Sequence, residues 1–373
     1  MKALRIYAGP AARKHIEQHG LRPQDVRTIP GAAGGPKGLI LGPLDRFIFG
    51  RWLPQSTQQV HLVGASIGAW RLSTACLSNT EAAFERFEHD YVHQQFEVPP
   101  GQKRLSPRQL SEQFALSLET FYGGRIAEVL NHPRYRLHVV TSRGRHILGR
   151  EGRARTPVGY LGAFATNSLH RKSLGAWLER CVFSTPGAAL PFGTRDFRTR
   201  QHALSEANFN MVLQASCSIP FLLAAVHDIP GAPRGAYWDG GITDYHLHLD
   251  YRTVHDDAAD GAGNAAGNAA DEGIVLYPHF QQAVVPGWLD KGLRWRHKAT
   301  GFLDRMVVIA PDPEWVRSLP NGKLPDRKDF IHFANDAQAR IAAWGKATRE
   351  AQRLSDEFEG WLDRGEPTEM RSL

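Results

Sequence analysis

The chain has 373 residues, of which 42% are hydrophobic and 22% charged, as in a soluble globular protein with one large domain or two smaller ones. It contains no run of about 18 apolar residues and no signal-like apolar start, so we expect neither a transmembrane helix nor export. Cys76, Cys181 and Cys217 are widely spaced, which argues against a disulfide framework and a zinc site. We therefore expect a cytoplasmic protein without a metal or cofactor.

The net charge is +7, which suits an anionic partner such as an acidic lipid or a phosphorylated ligand. No nucleic-acid motif and no long Lys/Arg run occurs, so nucleic acid is not expected as a partner. An equally good interpretation is that the charge only keeps the protein in solution.

The first third of the chain alternates between strand-like and helix-like patterns. The pattern predicts an edge strand at 2–8, a helix at 11–19, a strand at 26–29, a helix at 39–49, a strand ending near 65 and a helix at 69–78. Successive strand–helix units of this kind predict a parallel sheet with crossover helices.

A glycine-rich segment, 31–38, joins the second strand to the second helix. Such a loop exposes backbone N–H groups at a helix start, where anions bind. Three interpretations are open: a nucleotide-phosphate loop, a structural turn, or an oxyanion hole for a nearby nucleophile. The complete phosphate-binding motifs are absent, and the third interpretation is favoured by the next segment.

That segment, Gly64-Ala65-Ser66-Ile67-Gly68, lies between an apolar run and a predicted helix. A strand–turn–helix context places the serine of such a pentapeptide on a strained turn with its hydroxyl exposed. Gly64 and Gly68 would let the strand and the helix approach closely. Ser66 is therefore the candidate nucleophile. The alternative is that the pentapeptide forms only an ordinary tight turn between a strand and a helix.

Beyond this segment the patterns are mixed. They predict a helix at 82–96, a helix at 110–130 that is interrupted at 123–124, a strand at 135–141 and an exposed Arg/Gly-rich stretch at 142–160. Further along they predict a helix at 207–216, a flexible insertion at 255–273, strands at 274–277 and 305–310, and one long helix at 334–361. Residues 286–298 mix tryptophans with cations, which fits either a membrane interface or a surface helix anchored by two tryptophans.

Asp239, followed by Gly240 and Gly241, comes after a short aromatic strand. Alone, this is ordinary turn chemistry. With Gly34-Gly35-Pro36-Lys37-Gly38, the Ser66 pentapeptide, and Ala215-Ser216 before 219–221, however, it resembles the patatin-like phospholipase family in order and spacing over residues 26–245. Ala32 and Ala33 depart from the family pattern, as do Asp244 and His246.

The resemblance implies an α/β fold: a three-layer α/β/α sandwich with a mostly parallel central sheet, plus a C-terminal helix. We expect the hydrolase domain to extend over 1–330, with its motifs at 26–245, and a helical extension at 331–373 to pack on it. The resemblance also implies a serine lipid acyl hydrolase of the phospholipase A or lysophospholipase type. Its partner would be a lipid substrate, with peripheral contact at the inner face of a membrane if that substrate is a bilayer lipid.

The resemblance further implies a catalytic dyad of Ser66 and Asp239 without a histidine. The oxyanion hole would be formed by Gly34, Gly35, Pro36, Lys37 and Gly38, and the supporting motif glycines are Gly64, Gly68, Gly240 and Gly241. Lys37 would either orient the loop or hold a substrate phosphate.

Two alternatives stay open at this point. One is an α/β-hydrolase with a Ser-Asp-His triad, for which His246, His248 and His279 are candidates. The other is a lipid-binding or interaction protein without catalysis. Headgroup, acyl chain and oligomeric state are not readable from the sequence.

Overall fold

A computed structural model describes residues 1–96, 98–102, 105–252, 273–334, 336–365 and 369–373. Within these ranges, eleven strands form one mixed sheet. They are β1 (Leu4–Ala8), β2 (Val26–Gly31), β3 (Val60–Ala65), β4 (Tyr135–Gly144), β5 (Leu178–Ser184), β6 (Thr199–Ala203), β7 (Val226–His227), β8 (Ala236–Asp239), β9 (Ile274–Pro278), β10 (Met306–Pro311) and β11 (Arg371–Ser372). The predicted insertion at 255–273 lies outside the described residues except for its last position.

The strand order is β11-β1-β10-β9-β2-β3-β4-β5-β6, with β8 beside β4 and β7 beside β8. The five central strands, β10, β9, β2, β3 and β4, pair in parallel. Antiparallel pairs join β1 to β10, and β5 and β8 to β4. The mostly parallel central sheet is thus confirmed, but β1 is not an edge strand, because β11 pairs with it.

One feature of this sheet positions the site. Strand β5 pairs with β4 over residues 138–144, so it occupies one side of β4. On the other side, β3 ends with Ala65 opposite Val140, and β8 ends with Asp239 opposite Thr141. Strands β3 and β8 therefore approach the same point along β4 from opposite directions, which places the residues that follow them next to each other.

Helices flank the sheet, as in a three-layer α/β/α fold. The described helices are α1 (Pro10–His19), α2 (Gly42–Phe47), α3 (Ile67–Ala75), α4 (Thr80–His93), α5 (Pro107–Tyr122), α6 (Ile126–Leu130), α7 (Arg155–Leu169), α8 (Phe209–Cys217), α9 (Gly241–Asp244), α10 (Pro313–Ser318), α11 (Asp329–His332), α12 (Ala337–Glu350) and α13 (Gln352–Arg364). Among them, no helix is both long enough and apolar enough to cross a bilayer.

Three predicted elements differ from the structure. The helix predicted at 39–49 is a 3-10 turn (Gly35–Leu41), then α2, then a π-helical turn (Ile48–Trp52). The helix predicted at 334–361 is two helices, α12 and α13, which meet at Ala351. The stretch predicted as exposed at 142–160 continues β4 to Gly144 and includes the start of α7.

The main hydrophobic core runs from β1 to the C-terminal helices, and a smaller core lies under α7. In the smaller core, Tyr160 of α7 packs edge-on against Trp238 of β8, with ring centroids 6.0 Å apart. Trp238 is fully buried and directly precedes Asp239. Helix α7 is therefore packed against the strand that carries the candidate catalytic carboxylate.

Candidate active site

Ser66 lies in the turn between β3 and α3 with φ 56° and ψ −128°. This backbone region is unfavourable for a residue with a side chain and costs about 1–3 kcal/mol, so the surrounding structure must hold it in place. The side chain is 6% exposed. Its position directly before a helix puts it near the positive end of the α3 dipole.

Glycines make this turn possible by close approach. A Cβ atom on Gly68 would lie 1.9 Å from the carbonyl oxygen of Gly31 in β2, and one on Gly64 would lie 2.4 Å from the Cα atom of Ala69. Both contacts are to backbone, which cannot move aside as a flexible side chain can. Helix α3 can therefore lie directly against β2 and β3 only because these two positions lack side chains.

We expect Gly68→Ala to lower the free energy of unfolding by about 2–4 kcal/mol, because the new methyl group overlaps the Gly31 carbonyl. Chemical denaturation measures this. Gly345→Ala in α12 is the matched control: its Cβ would meet only the end of the Arg349 side chain, at 3.3 Å. That variant should gain about 0.5–1 kcal/mol from helix propensity. Equal stability of the two variants would contradict the close-approach argument.

Asp239 lies at the end of β8 and bonds directly to the candidate nucleophile. Ser66 Oγ donates to Asp239 Oδ2 at 2.7 Å, and the Gly241 N–H donates to Asp239 Oδ1 at 2.7 Å. Burial raises the pKa of Asp239 to about 6, and the two hydrogen bonds oppose that rise because they favour the ionised form. A carboxylate with this pKa is ionised at neutral pH and basic enough to accept a proton.

The glycines after Asp239 allow close contact in the same way. A Cβ atom on Gly240 would lie 2.1 Å from the Val140 carbonyl oxygen, and one on Gly241 would lie 2.6 Å from the Ala33 Cβ atom. The end of β8 is thereby pressed against β4 on one side and against the glycine-rich loop on the other.

Ser216, at the end of α8, fixes the turn that carries Ser66. Its Oγ accepts a hydrogen bond from the Ser66 N–H at 2.9 Å and donates one to the Val140 carbonyl at 2.7 Å. Its own carbonyl accepts the Gly240 N–H at 3.1 Å. One fully buried side chain and its backbone thus connect the two turns, a role that the sequence did not assign to Ser216.

The glycine-rich loop approaches Ser66 through Ala33, Gly34 and Gly35, which all line one cleft. Gly34 and Gly35 line this cleft with Ser66, Asp239 and Gly241, whereas the other loop and motif positions are not among its lining residues: Pro36, Lys37, Gly38, Gly64, Gly68 and Gly240. Gly35 has φ 58°, in the region that favours glycine. Ala33 already donates its N–H to the Tyr245 carbonyl and Pro36 has no N–H, so among these loop residues the amides of Gly34 and Gly35 are the candidate donors for an oxyanion.

A buried ion pair between α3 and α2 lies next to the glycine-rich loop. Arg71 of α3 donates two hydrogen bonds to Asp45 of α2, both at 2.7 Å. A Cβ atom on Gly38 would lie 3.2 Å from the Ile67 side chain and 3.4 Å from Arg71 Cδ. The loop therefore rests on the first turns of α3, the helix that also begins at Ser66.

The cleft holds about 340 Å³ of empty space, counting the part open to solvent. Several of its walls come from residues that the sequence did not single out as site residues. Aromatic and charged side chains contribute from distant parts of the chain: Tyr245, Trp288 and Arg327, together with Ile242. Ile219 and Pro220, which follow α8, also line the cleft.

The three histidines considered for a triad have other partners. His248 bonds to the Val284 carbonyl and to Thr300 Oγ1 at 2.9 and 2.8 Å. His246 Nδ1 lies 3.1 Å from the Ala283 carbonyl, and His279 Nδ1 bonds to the Gln281 carbonyl. In the described part of the chain, no histidine bonds to Ser66 or Asp239, and the serine hydroxyl donates directly to the carboxylate.

Comparison with known proteins gives little further information. No family model matches the chain, and no curated protein matches it. Among solved structures, VipD from Legionella pneumophila is similar over 98% of this chain and 70% of that chain, with 11% sequence identity and a TM-score of 0.30. The fold and the candidate site are therefore defined by the geometry of the chain itself.

Proposed function

We propose that this chain is a serine acyl hydrolase of the patatin-like type, which cleaves fatty-acyl esters of lipids through Ser66 and Asp239. The observation that carries the proposal is the 2.7 Å hydrogen bond from Ser66 Oγ to a buried carboxylate, on a strained turn in a cleft that Gly34 and Gly35 also line. A nucleophile bonded to its base beside oxyanion donors is the arrangement that acyl transfer requires.

In the first half of the reaction, Ser66 Oγ attacks the ester carbonyl while Asp239 Oδ2 accepts the hydroxyl proton. The carbonyl oxygen gains negative charge and is stabilised by the amides of Gly34 and Gly35. When the tetrahedral intermediate collapses, the ester C–O bond breaks, and the alcohol leaves with the proton held by Asp239. The product on the protein is an acyl ester of Ser66.

In the second half, water takes the place of the alcohol. Asp239, ionised again, accepts a proton from water as the water oxygen attacks the acyl carbonyl. The same amides stabilise the second oxyanion. Collapse breaks the bond to Ser66 Oγ, which regains a proton from Asp239, and a fatty acid is released. One carboxylate thus acts as base and acid in both halves.

The proposal is tested by measuring fatty-acid release from mixed phospholipid vesicles and from a short-chain nitrophenyl ester. We expect the wild-type chain to hydrolyse at least one of them, and His246→Ala, His248→Ala and His279→Ala to retain turnover wherever thermal unfolding shows that they are folded. Absence of turnover on both substrates would overturn the proposal. Loss of turnover in one folded histidine variant would favour the triad instead.

A rim of exposed apolar side chains beside the cleft supports a lipid surface as the place of action. This apolar rim consists of Val158, Leu161 and Phe164 on α7 and of Phe221 and Leu222, which are 58%, 69%, 45%, 57% and 45% exposed. Residues 221–222 directly follow Pro220, which lines the cleft, and Phe221 packs against Tyr160 of α7 with ring centroids 5.9 Å apart. We propose that the apolar rim inserts into the lipid interface and presents the cleft to the membrane.

Leu161→Glu is expected to lower the ratio of vesicle hydrolysis to monomeric-ester hydrolysis by about tenfold or more, because a carboxylate on the apolar rim resists insertion among acyl chains. Leu116→Glu on α5 is the matched control: Leu116 is 67% exposed, against 69% for Leu161, and the residues that line the cleft include none from α5. The same fall in the ratio for both variants would show that the rim is not the docking surface.

A further inference from the structure

Three basic side chains lie in the wall of the cleft or behind it, and none of them takes part in the acyl-transfer chemistry. This cation cluster consists of Lys37, Lys291 and Arg327. Arg327 lines the cleft, and its side chain packs over the oxyanion loop, since a Cβ atom on Gly35 would lie 3.6 Å from Arg327 Cγ. Lys291 and Arg327 both lie after residue 245, where the part of the chain that carries the motifs ends.

Aromatic rings hold the two lysines, and the two rings that hold Lys291 line the cleft. Lys291 Nζ lies 4.1 Å from the centroid of the Tyr245 ring, which lines the cleft, and 5.7 Å from that of Trp288. Lys37 Nζ lies 5.3 Å from the centroid of the Phe280 ring. Cation–π contacts fix the ammonium groups without neutralising them. Lys291 stays accessible to solvent, so an anion can reach it.

Within the described residues, no ion pair joins any member of the cation cluster to a carboxylate. The nearby Lys323 shows the contrast, because it pairs with Asp326 at 2.9 Å and with Asp329. Asp326 also acts on Lys37 by its charge, but its carboxylate is already paired. Three cations beside one catalytic carboxylate, Asp239, leave an excess of positive charge at the site.

The positive charges of the cation cluster repel one another. Partial burial, then the charges of Arg327 and Lys37, lower the pKa of Lys291 to about 8, although the charge of Asp239 opposes this. Burial, together with the charges of Arg327 and Lys323, lowers the pKa of Lys37, although Asp326 opposes this. Such a cluster is electrostatically strained until an anion is bound, and the anion relieves the repulsion among all its members.

We propose that Lys37, Lys291 and Arg327 form an anion subsite that holds a phosphate or carboxylate carried by the ester substrate. The inference rests on the proposed hydrolase function and adds the substrate class: acyl esters with an anionic group near the scissile bond. Because Arg327 packs over Gly35, the anion would lie next to the oxyanion loop. Charge-assisted bonds to it would position the ester carbonyl over Ser66.

The test compares two esters that differ only in the anion, 1-octanoylglycerol 3-phosphate and 1-octanoylglycerol, both as monomers below their micelle-forming concentrations. We expect the wild-type kcat/KM to favour the phosphate ester by about 100-fold or more, and Lys291→Gln and Arg327→Gln each to lower this ratio about tenfold. The ratio is the readout because loss of a cation beside Asp239 changes the rate with both esters.

Lys328→Gln is the control, since it removes the same charge from the residue next to Arg327, on an exposed side chain outside the cleft. It should leave the ratio unchanged. Equal kcat/KM values for the two esters in the wild-type protein would overturn the subsite while leaving the hydrolase proposal intact. An equal fall in the ratio for Lys328→Gln would also overturn it, because the effect would then be one of net charge.

A binding measurement separates this inference from the hydrolase proposal. With Ser66→Ala, which cannot turn over the ester, calorimetry should give a Kd for 1-octanoylglycerol 3-phosphate that rises about tenfold when Arg327→Gln is added. This holds even if the wild-type protein hydrolyses neither ester, in which case only the hydrolase proposal fails. Inorganic phosphate should bind far more weakly. Equal affinity for inorganic phosphate would show a free-phosphate site and overturn the substrate assignment.

Discussion

Ser66→Ala is expected to reduce ester hydrolysis by about 10⁴-fold or more, because no other hydroxyl group can take the place of Oγ on the strained turn. The loss should appear with a nitrophenyl ester and with vesicles alike, since both reactions pass through the same acyl ester. A fluorophosphonate probe reports the nucleophile directly. In the wild-type chain it should add its phosphonyl group to Ser66 Oγ with loss of fluoride, which peptide mass spectrometry detects.

Ser117→Ala on α5 serves as the control for this experiment, because it makes the same substitution at a partly buried serine whose hydroxyl donates to the Gln113 carbonyl and which does not line the cleft. It should keep full activity and full labelling at Ser66. Thermal unfolding of Ser66→Ala should remain cooperative, since the turn is still fixed by Ser216 and by the motif glycines. Activity in the folded Ser66→Ala variant close to that of the wild type would eliminate Ser66 as nucleophile.

Local features of this site could be predicted from the sequence because they depend on neighbouring residues. The spacing of Gly64, Ser66 and Gly68 after an apolar run predicts a strand, a strained turn and a helix, and the structure has β3, φ 56° at Ser66, and α3. The parallel centre of the sheet follows in the same way from successive strand–helix units.

The meeting of Ser66 and Asp239 depends instead on register. It arises because β3 and β8 end at adjacent positions of β4, opposite Val140 and Thr141. No local pattern encodes that pairing. The resemblance to a family supplied the partnership of the two residues, and their separation of 2.7 Å comes from the fold.

Residues that act through long-range contact were missed for the same reason. Arg327 lies in a short loop before α11 with no motif around it, and it reaches the cleft only because that loop packs over Gly35. The start of α7 was mistaken for an exposed basic stretch because arginines and glycines obscured its apolar positions. Sequence patterns show the composition of such segments, but they do not show which surface each segment packs against.

Asp239→Asn is expected to lower kcat/KM about 10²–10⁴-fold, because an amide of the same shape can hold the Ser66 hydroxyl but cannot accept its proton. Asp228→Asn is the control: this exposed aspartate precedes β8 and bonds to the Gly235 N–H, so the same substitution there should leave the rate unchanged. Asp239→Asn with the wild-type rate would show that another group is the base.

The pH dependence tests the same assignment through the pKa of Asp239, which burial raises to about 6. Since the base must be ionised, kcat/KM of the wild-type chain should rise about tenfold per pH unit below pH 6 and level off above it. The charges of Arg327 and Lys291 favour the ionised carboxylate and so lower its pKa. Removing one of them must therefore raise that pKa, and the rising limb of the Arg327→Gln profile should move to higher pH. A limb that stays in place in Arg327→Gln, or that persists in Asp239→Asn, would mean that the titrating group is not the carboxylate bonded to Ser66.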